Sequence, residues 1–384
     1  MTAHALLSAS SSKRWMSCTP SARLEATLPE PKRNTKGVDF SAEGTLAHTL
    51  GEIRLKLYYN QITEQEFNEE YKAVKSNDIY QNYTDEERAD FEANIDNYVL
   101  YIRSQIGEGD IPLFEQRVDF SDWVPDGFGT ADVVILSERT IHIYDLKFGR
   151  GIPVSAVDNS QLRLYALGAY AKFKEDYPNI KEVSYTIHQP RLDSISTDGT
   201  TIEKLLDWAN YFVKPKAKKA WAGSGEFLPG EWCQFCKAKA QCRARSDFNT
   251  ELAKQEFKEP PLLSEEELND VLAKAQDLKT WANDVEEFAL NRAIEENKIP
   301  KGYKLGTTTT HRKILDNQLA AAVLVEHGLS ESLLWEPPKL KSLATLEKIG
   351  PKGKVAAWLG DLVIRPEGQP KLVRIKETAK DDFK

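Results

Sequence analysis

The segment that decides the fold reads Gly129-Thr-Ala-Asp-Val-Val-Ile-Leu136, followed after a short gap by Ile141-His-Ile-Tyr-Asp-Leu-Lys147. Both runs are rich in β-branched and aromatic residues, which predicts two antiparallel strands. A two-residue hairpin tip at Glu138-Arg139 places Asp132 directly across from Asp145, with both side chains on one face and roughly 5 Å apart. Lys147 lies two residues beyond Asp145 and therefore shares that face.

These three polar residues predict a metal-dependent hydrolytic site. Two carboxylates so close repel each other unless a cation lies between them, and Mg²⁺ or Mn²⁺ with oxygen ligands is the expected occupant. The carbonyl of Leu146 could add a further ligand. Lys147 would orient or help deprotonate a water and steady the charge on a phosphate. The alternative is that Asp132 and Asp145 are solvent-facing residues of a sheet, but their neighbours in sequence are strongly apolar.

The cysteines predict a second metal site. The chain has four: Cys18, then Cys233, Cys236 and Cys242 in the pattern C-x2-C-x5-C. Four thiolates suit an iron–sulfur cluster or a tetrahedral zinc ion. Disulfides or free thiols are the weaker alternative for three thiols so closely spaced. A site that uses all four would clamp the intervening chain, with its carboxylates and lysine, into one domain.

The order of elements predicts an α/β fold with a mixed central sheet. Residues 8–60 and 63–107 are predicted to be largely helical, and an apolar stripe marks the second segment: Phe91, Ile95, Tyr98, Val99 and Ile102. Four strands are predicted at Leu113–Phe120, Gly129–Leu136, Thr140–Phe148 and Val183–Gln189. Further helices are predicted at Asn159–Lys174 and at Ile202–Phe212, the latter ending near Lys214-Pro215.

The chain is predicted to have two domains. Residues 1–250 form the first, residues 251–263 with Pro260-Pro261 form a linker, and residues 264–384 form a mostly helical accessory region of unknown role. A long helix is expected at Ser264–Asn297, a strand at Tyr303–Thr309 and a helix at Asn317–Glu326.

Composition limits the partners and the compartment. With 384 residues and 41% hydrophobic content the chain reads as globular, and it has neither a bilayer-length apolar run nor a signal peptide, so we expect a cytoplasmic protein and no membrane partner. A net charge of −8 excludes an overall basic nucleic-acid-binding surface but allows a local one. The densest basic run is either a set of phosphate contacts or a solvated helix end: Lys214, Lys216, Lys218 and Lys219.

Four other side chains are candidate members of the carboxylate site. Gln161 and Tyr165 lie four residues apart on one helix face, and this helix directly follows the Lys147 strand. His48 is either a further metal ligand or a structural histidine. Glu115, on the preceding strand, is a candidate outer carboxylate.

Taken in this order, the motifs resemble the RecB-like branch of the PD-(D/E)XK nucleases that carries an iron–sulfur cluster. This branch includes AddB-type recombination nucleases and CRISPR-adaptation exonucleases, and the chain is most similar to phage-encoded members. The resemblance covers roughly residues 1–245. The family motifs fall on Ser8–Ser12 with Cys18, on His48, on Asp132, on Asp145 with Lys147, on Gln161 with Tyr165, and on the three clustered cysteines.

The resemblance implies a restriction-endonuclease-like core and assigns roles to these residues. It implies that His48, Asp132, Asp145 and the Leu146 carbonyl hold Mg²⁺ or Mn²⁺, that Lys147 serves the water or the scissile phosphate, and that Gln161 and Tyr165 position the strand. It also implies a [4Fe-4S] cluster held by all four cysteines, with structural Zn²⁺ as the alternative.

The resemblance implies a DNA exonuclease of phage recombination or replication. Such an enzyme acts on linear ends or single strands, with 5′→3′ polarity, in the cytoplasm of a bacterial host. Single-strand annealing or replication proteins of the phage are its expected partners. The alternative is a catalytically silent nuclease-fold module that binds DNA or a partner in a replication or recombination complex.

Overall fold

The computed structural model describes residues 5–29, 40–151, 153–255, 265–307 and 313–336, with shorter stretches at 339–340, 343, 346, 354–364 and 370–374. The chain divides into two compact units, Met1–Asp277 and Leu278–Lys384. This division falls inside a long helix, beyond the linker predicted at residues 251–263. Residues 251–255 are helical, and residues 256–263 lie outside the described part of the chain.

A five-stranded mixed sheet forms the centre of the first unit, as predicted. Its strands lie side by side in chain order, and only the third and fourth run parallel. They are β1 (Ile111–Asp119), β2 (Phe128–Leu136), β3 (Thr140–Leu146), β4 (Glu182–Gln189) and β5 (Ser194–Thr201). The sequence did not predict β5, because this edge strand is mostly Ser and Thr and has no apolar face.

The β2–β3 hairpin has the predicted turn and register. The Ser137 N–H donates to the Thr140 carbonyl at 3.0 Å, which leaves Glu138-Arg139 as the two-residue tip. The ladder runs from Leu136 opposite Ile141 to Val133 opposite Tyr144 and ends there. Asp132 and Asp145 occupy the next position, so their predicted direct pairing lies just beyond the end of the ladder.

Helices cover both faces of the sheet. The helices of the first unit are α1 (Ser12–Ser17), α2 (Ser21–Ala26), α3 (Phe40–Tyr58), α4 (Glu64–Lys75), α5 (Asp78–Asn82), α6 (Asp85–Gln105), α7 (Ser160–Phe173), α8 (Ile202–Asp207), α9 (Lys214–Ala222) and α10 (Arg243–Gln255). The long α11 (Glu265–Glu295) follows them. The segment 8–60, predicted as largely helical, is divided into α1, α2 and α3, with residues 30–39 outside the described part.

Alternate residues of the central strands enter two separate cores. Val134 and Ile143 pack with α7, α8 and α9, whereas Val133 and Tyr144 pack with α3 and α6. The predicted apolar stripe of α6 is buried in the second core. Because both faces are covered, the middle strands are apolar throughout, and a charged residue within them must be compensated by specific partners.

The predicted helix end at Lys214-Pro215 is wrong. After α8 the chain makes a π-helical turn over Trp208–Val213 and continues directly into α9, which contains Pro215 in its first turn. Proline has no N–H to donate and clashes with a regular preceding turn, and a wider π turn relieves both constraints. The lysine run therefore lies on a helix rather than beyond one.

The second unit has its own small core around Leu324, Leu334 and Val355. The predicted α12 (Asn317–Glu326) and the strand β6 (Tyr303–Thr307) are present, together with α13 (Glu331–Leu334) and α14 (Val355–Leu359). Two-stranded pairs join β6 to β11 (Pro370–Arg374), β7 (Lys313–Ile314) to β10 (Val363–Ile364), and β8 (Trp335–Glu336) to β9 (Lys339–Leu340). Strands of two residues leave no sequence pattern, so the prediction of a mostly helical region missed them. In the described part of the chain, no helix has the length and apolar character that crossing a membrane requires.

Candidate functional site

An open cleft lies between α3 and the sheet of the first unit. His48 of α3, Glu115 of β1, and Leu146 and Lys147 at the end of β3 line it. Asp132 of β2 adjoins these residues, since its Oδ1 lies 3.2 Å from Nδ1 of His48. The Leu146 N–H donates to Asp132 Oδ2 at 2.7 Å, where the β2–β3 ladder has ended. The folding of the β2–β3 hairpin thus places Asp132, Leu146 and Lys147 at one edge of the cleft.

His48, Glu115 and Asp132 form a group that could hold a metal ion. Each offers one ligand atom, and these atoms lie within 4.8 Å of one another. Glu115 has a φ of 48°, a left-handed conformation that is uncommon in a strand and that non-glycine residues adopt at a cost. The side chains of β2 depart from the usual alternation of a strand at this point. Ala131 packs in the core that contains α7, whereas Val133, two residues later, packs in the core that contains α3. The irregular backbone of β1 and β2 at this point is therefore part of what brings the side chains of Glu115 and Asp132 close to His48.

Asp145 belongs to a second group of contacts at the same strand ends. It is only 3% exposed, which rules out the solvent-facing alternative for this residue. Its Oδ2 lies 2.7 Å from Lys147 Nζ, and its Oδ1 accepts a hydrogen bond from Gln161 Nε2 at 2.9 Å. The same amide nitrogen lies 3.3 Å from the Tyr165 hydroxyl. The D-x-K and Q-x3-Y motifs therefore meet through side-chain contacts.

Gly129 makes room for the tyrosine of this group. A Cβ atom at Gly129 would lie 2.7 Å from Cε1 of Tyr165, a distance that carbon atoms do not tolerate. The absence of a side chain thus lets the Tyr165 ring lie against β2. This contact gives a physical reason for the glycine three residues before Asp132.

Electrostatics couple His48 to the carboxylates. Burial lowers the pKa of His48, but the charge and hydrogen bond of Asp132, together with the charges of Asp145 and Glu115, outweigh burial and raise the pKa to about 9. Burial raises the pKa of Asp132, yet His48 and Lys147 hold it below its ordinary value. Burial, followed by the charge of Asp132, raises the pKa of Glu115 to about 7. At neutral pH His48 therefore carries a proton that a metal ion would have to displace.

The second group shows the same balance of burial and charge. Burial raises the pKa of Asp145 above its ordinary value, although Lys147 opposes this shift. Burial lowers the pKa of Lys147, but the two aspartates outweigh it and the pKa is raised. Burial and then Asp145 raise the pKa of Tyr165. Lys147 is therefore an ammonium and Tyr165 a neutral phenol at physiological pH.

The donor set fits a divalent cation, with one change from the predicted ligands. Of the predicted ligands, His48 and Asp132 lie together, and Glu115 joins them in the place expected for Asp145. Asp145 contacts Lys147 and Gln161 instead, and Leu146 lines the cleft beside them. An imidazole with two carboxylates suits Mn²⁺ better than Mg²⁺, which prefers oxygen alone. The sequence predicted Glu115 only as an outer carboxylate of the site, because no local sequence pattern indicates that its backbone is left-handed.

The four cysteines line one pocket. None of the four forms a disulfide, so the disulfide part of the alternative is wrong, whereas its free-thiol part is not contradicted. The Gly230 N–H donates to Cys233 Sγ at 3.4 Å, and backbone groups of Leu228 and Ala238 bond to Cys18 and Cys236. Burial raises the pKa of Cys18 and Cys233, and raises that of Cys236 to about 12. Thiolates in this pocket therefore need positive charge, which Arg14 and Arg245 on the pocket wall can supply in part.

Contacts other than the thiols also tie the N-terminal segment to the cysteine region. Glu25 accepts from Arg14 Nε at 2.8 Å and from the Lys237 N–H at 2.8 Å. The Thr19 hydroxyl donates to the Ser224 carbonyl at 2.7 Å, and Arg23 Nε donates to the Trp221 carbonyl at 2.6 Å. The cysteine pocket therefore lies at a junction between α1–α2 and the segment after α9.

The predicted basic run lies on α9 and does not line the cleft. Lys214, Lys218 and Lys219 are exposed, and the ammonium of the half-buried Lys216 lies 5.3 Å from the centre of the Phe212 ring. The neighbouring Tyr211 is also exposed. This surface is available to a phosphate backbone, as the sequence allowed, but it is not part of the His48–Lys147 site.

Replacing Cys233 by alanine should destabilise the first unit, because three thiolates leave an incomplete site and the N-terminal segment loses an anchor. We expect the variant to lack bound metal and the visible absorption of an iron–sulfur cluster, and to unfold at a lower temperature. Metal analysis and thermal unfolding of anaerobically purified protein check this. Iron in the wild type supports a cluster and zinc supports the alternative, whereas a Cys233→Ala variant with wild-type stability contradicts the anchoring role.

Residues 4–380 match the family described as "Protein of unknown function (DUF2800)". A solved protein, SSO0001, aligns with 59% of this chain and 95% of its own length, at 13% identity and a TM-score of 0.25. That likeness is too low to bear on fold or function. Because the family match spans nearly the whole sequence, the chain belongs to the DUF2800 family.

Proposed function

We propose that this chain is a metal-dependent deoxyribonuclease that hydrolyses phosphodiester bonds at the ends of linear DNA. The observation that carries the proposal is the meeting of His48, Glu115 and Asp132 with Lys147 in one open cleft. Asp145, Gln161 and Tyr165 support it from α7 and β3. The 5′→3′ polarity, the phage recombination role and the annealing or replication partners follow from the sequence resemblance.

His48, Glu115 and Asp132 would hold Mn²⁺ or Mg²⁺, with Asp145 and the Leu146 carbonyl beside them. The bound cation would supply Lewis-acid polarisation of the scissile phosphate and acidify a water. His48 must first lose its proton, and its ring would turn from the contact with Asp132 toward the cation. Glu115, whose pKa is raised to about 7 in the metal-free protein, would likewise give up its proton when the cation binds.

Lys147 acts through its positive charge. Its pKa is raised by the neighbouring aspartates, which favours the ammonium form and suits contact with the phosphate oxygens. Its contact with Asp145 Oδ2 fixes the side chain at the cleft. Gln161 orients the same carboxylate from the other side through Oδ1. Water attack on phosphorus and departure of the sugar oxygen would then occur beside a cation that is already in place.

Two glycines leave space for the nucleic-acid backbone at the mouth of the cleft. Gly44 of α3 and Gly149, which follows β3, both line it. A Cβ atom at either position would meet no atom within 4 Å, and neither has a positive φ, so packing and backbone geometry do not require glycine there. Glycine inside a helix costs about 0.5–1 kcal/mol relative to alanine. Close approach of a sugar–phosphate backbone would explain why glycine is present at position 44 despite this loss of helix stability.

The four-cysteine pocket would hold a [4Fe-4S] cluster with a structural role. Two buried or half-buried guanidinium groups, Arg14 and Arg245, line the pocket and would offset the negative charge of four thiolates. The pocket is lined by residues of both ends of the nuclease unit, so ligation would hold the ends together.

The test of the proposed function is digestion of end-labelled linear DNA with Mn²⁺ by the wild type and by Lys147→Ala. We expect digestion by the wild type and a loss of about 100-fold or more in the variant, because the ammonium that stabilises the developing charge is removed. Equal digestion by both would show that the activity comes from another site or another protein. Binding of DNA without digestion by the wild type would favour the silent binding module.

Gly44→Ala should change stability and substrate binding in opposite directions. We expect the free energy of unfolding to rise by about 0.5–1 kcal/mol, because alanine favours the helix. The KM for linear DNA should rise, and more so in Gly44→Leu, while the affinity for Mn²⁺ stays unchanged. Asn97→Ala, an exposed position of α6, is the control for helix propensity alone. An unchanged KM in Gly44→Leu would contradict the proposed path of the strand.

A further inference from the structure

A buried ion pair lies close to the cleft without lining it. Glu43 of α3, five residues before His48, faces Arg191 in the short 3₁₀ turn after β4. Arg191 Nη1 donates to Oε2 at 2.9 Å and Nη2 donates to Oε1 at 2.8 Å, so the contact is bidentate. Each side chain is only 6% exposed. The pair joins two segments that are 148 residues apart in the chain.

Aromatic side chains connect this pair to the end of β3. The Arg191 guanidinium lies 4.0 Å from the centre of the Phe148 ring. Phe148 directly follows Lys147, lines the cleft and packs edge-on against Phe91, with ring centres 5.1 Å apart. The Tyr83 hydroxyl donates to Glu43 Oε1. Arg191 thus contacts the helix that carries His48 and the residue next to Lys147 at the same time.

Stability alone is a poor explanation for these charges. Removing two ions from water costs several kcal/mol for each, and apolar residues of similar volume often serve equally well in a core. The Arg191 Nε atom is buried and has no hydrogen-bond partner among the described residues, which adds to the cost. What a planar bidentate contact provides, and an apolar contact does not, is a fixed distance and direction between two elements.

The cleft needs such a fixed distance. His48 lines it from α3, whereas Lys147 lines it from the end of β3. The candidate ligand atoms come from α3 and from two strands, so the distance of α3 from the sheet decides whether these atoms can meet at one ion. A contact that holds α3 against the end of β3 would keep the ligand atoms at binding distance before a metal arrives.

We propose that Glu43 and Arg191 are positioning residues, whose bidentate contact sets the distance of the His48 helix from the end of β3 and so prepares the cleft for its cation. This role rests on the proposed function of the cleft. Neither residue touches the metal or the DNA. Their contribution is the geometry of groups that do.

The experiment separates positioning from stability by comparing single variants with a double variant. Arg191→Met leaves Glu43 buried without its partner, so we expect both a lower unfolding temperature and a weaker affinity for Mn²⁺. The double variant Glu43→Leu/Arg191→Met removes both charges at similar volume, so its unfolding temperature should return toward that of the wild type. Its affinity for Mn²⁺ should stay about 10- to 100-fold weaker than that of the wild type.

Arg54→Met is the matched control. Arg54 lies on the same helix and pairs with Glu92 and Asp96 of α6, away from the cleft. The Arg54→Met variant should unfold at a lower temperature and bind Mn²⁺ with unchanged affinity. Manganese binding is measured by the electron paramagnetic resonance signal of the free ion, alongside kcat on linear DNA.

Each possible result decides between the two roles. Wild-type Mn²⁺ affinity and kcat in the double variant would overturn the positioning role and leave the pair as a structural contact. A loss of Mn²⁺ affinity in Arg54→Met that matches its loss of stability would also overturn it. Failure of the wild-type chain to bind Mn²⁺ would instead contradict the proposed function of the cleft.

Discussion

Three carboxylates occupy one row across three neighbouring strands, and the first unit is arranged around their charge. The preceding row pairs Phe114, Val133 and Tyr144, and the next positions are Glu115, Asp132 and Asp145, after which β1 and β2 pair again from Gln116 opposite Ala131. Both ladders are interrupted at this row, where Glu115 is left-handed and Leu146 donates to a side chain instead of a strand. Asp145 is buried and the other two acids are half-buried, so this row of a largely apolar sheet requires positive charge. His48 from one face and Lys147 from the strand end supply it, and a divalent cation would complete it.

The surrounding elements each hold one of these charges in place. Helix α3 carries His48, and its position is fixed through the Glu43–Arg191 contact. Helix α7 carries Gln161 and Tyr165, and the ring of Tyr165 reaches the row because Gly129 has no side chain. The cysteine pocket joins the N-terminal helices to the segment after α9. Hydrolysis of a phosphodiester is therefore proposed for a site whose charges are already oriented by the fold.

Local patterns in the sequence predicted the parts of this arrangement that depend on short spacings. The two-residue tip predicted the hairpin register, the i, i+4 spacing predicted that Gln161 and Tyr165 lie side by side, and the cysteine spacing predicted a shared pocket. Other features depend on long-range or backbone effects. The left-handed Glu115, the π turn before Pro215 and the polar edge strand β5 have no local signal. Arg191 and Glu43 meet only through the tertiary fold.

The most direct test of the central claim is anomalous diffraction at the manganese edge from crystals grown with Mn²⁺. The account predicts one strong peak between His48, Glu115 and Asp132, with the His48 ring turned from its contact with Asp132 into ligation. No peak in the cleft, or a peak only at surface carboxylates with the His48–Asp132 contact intact, would contradict it.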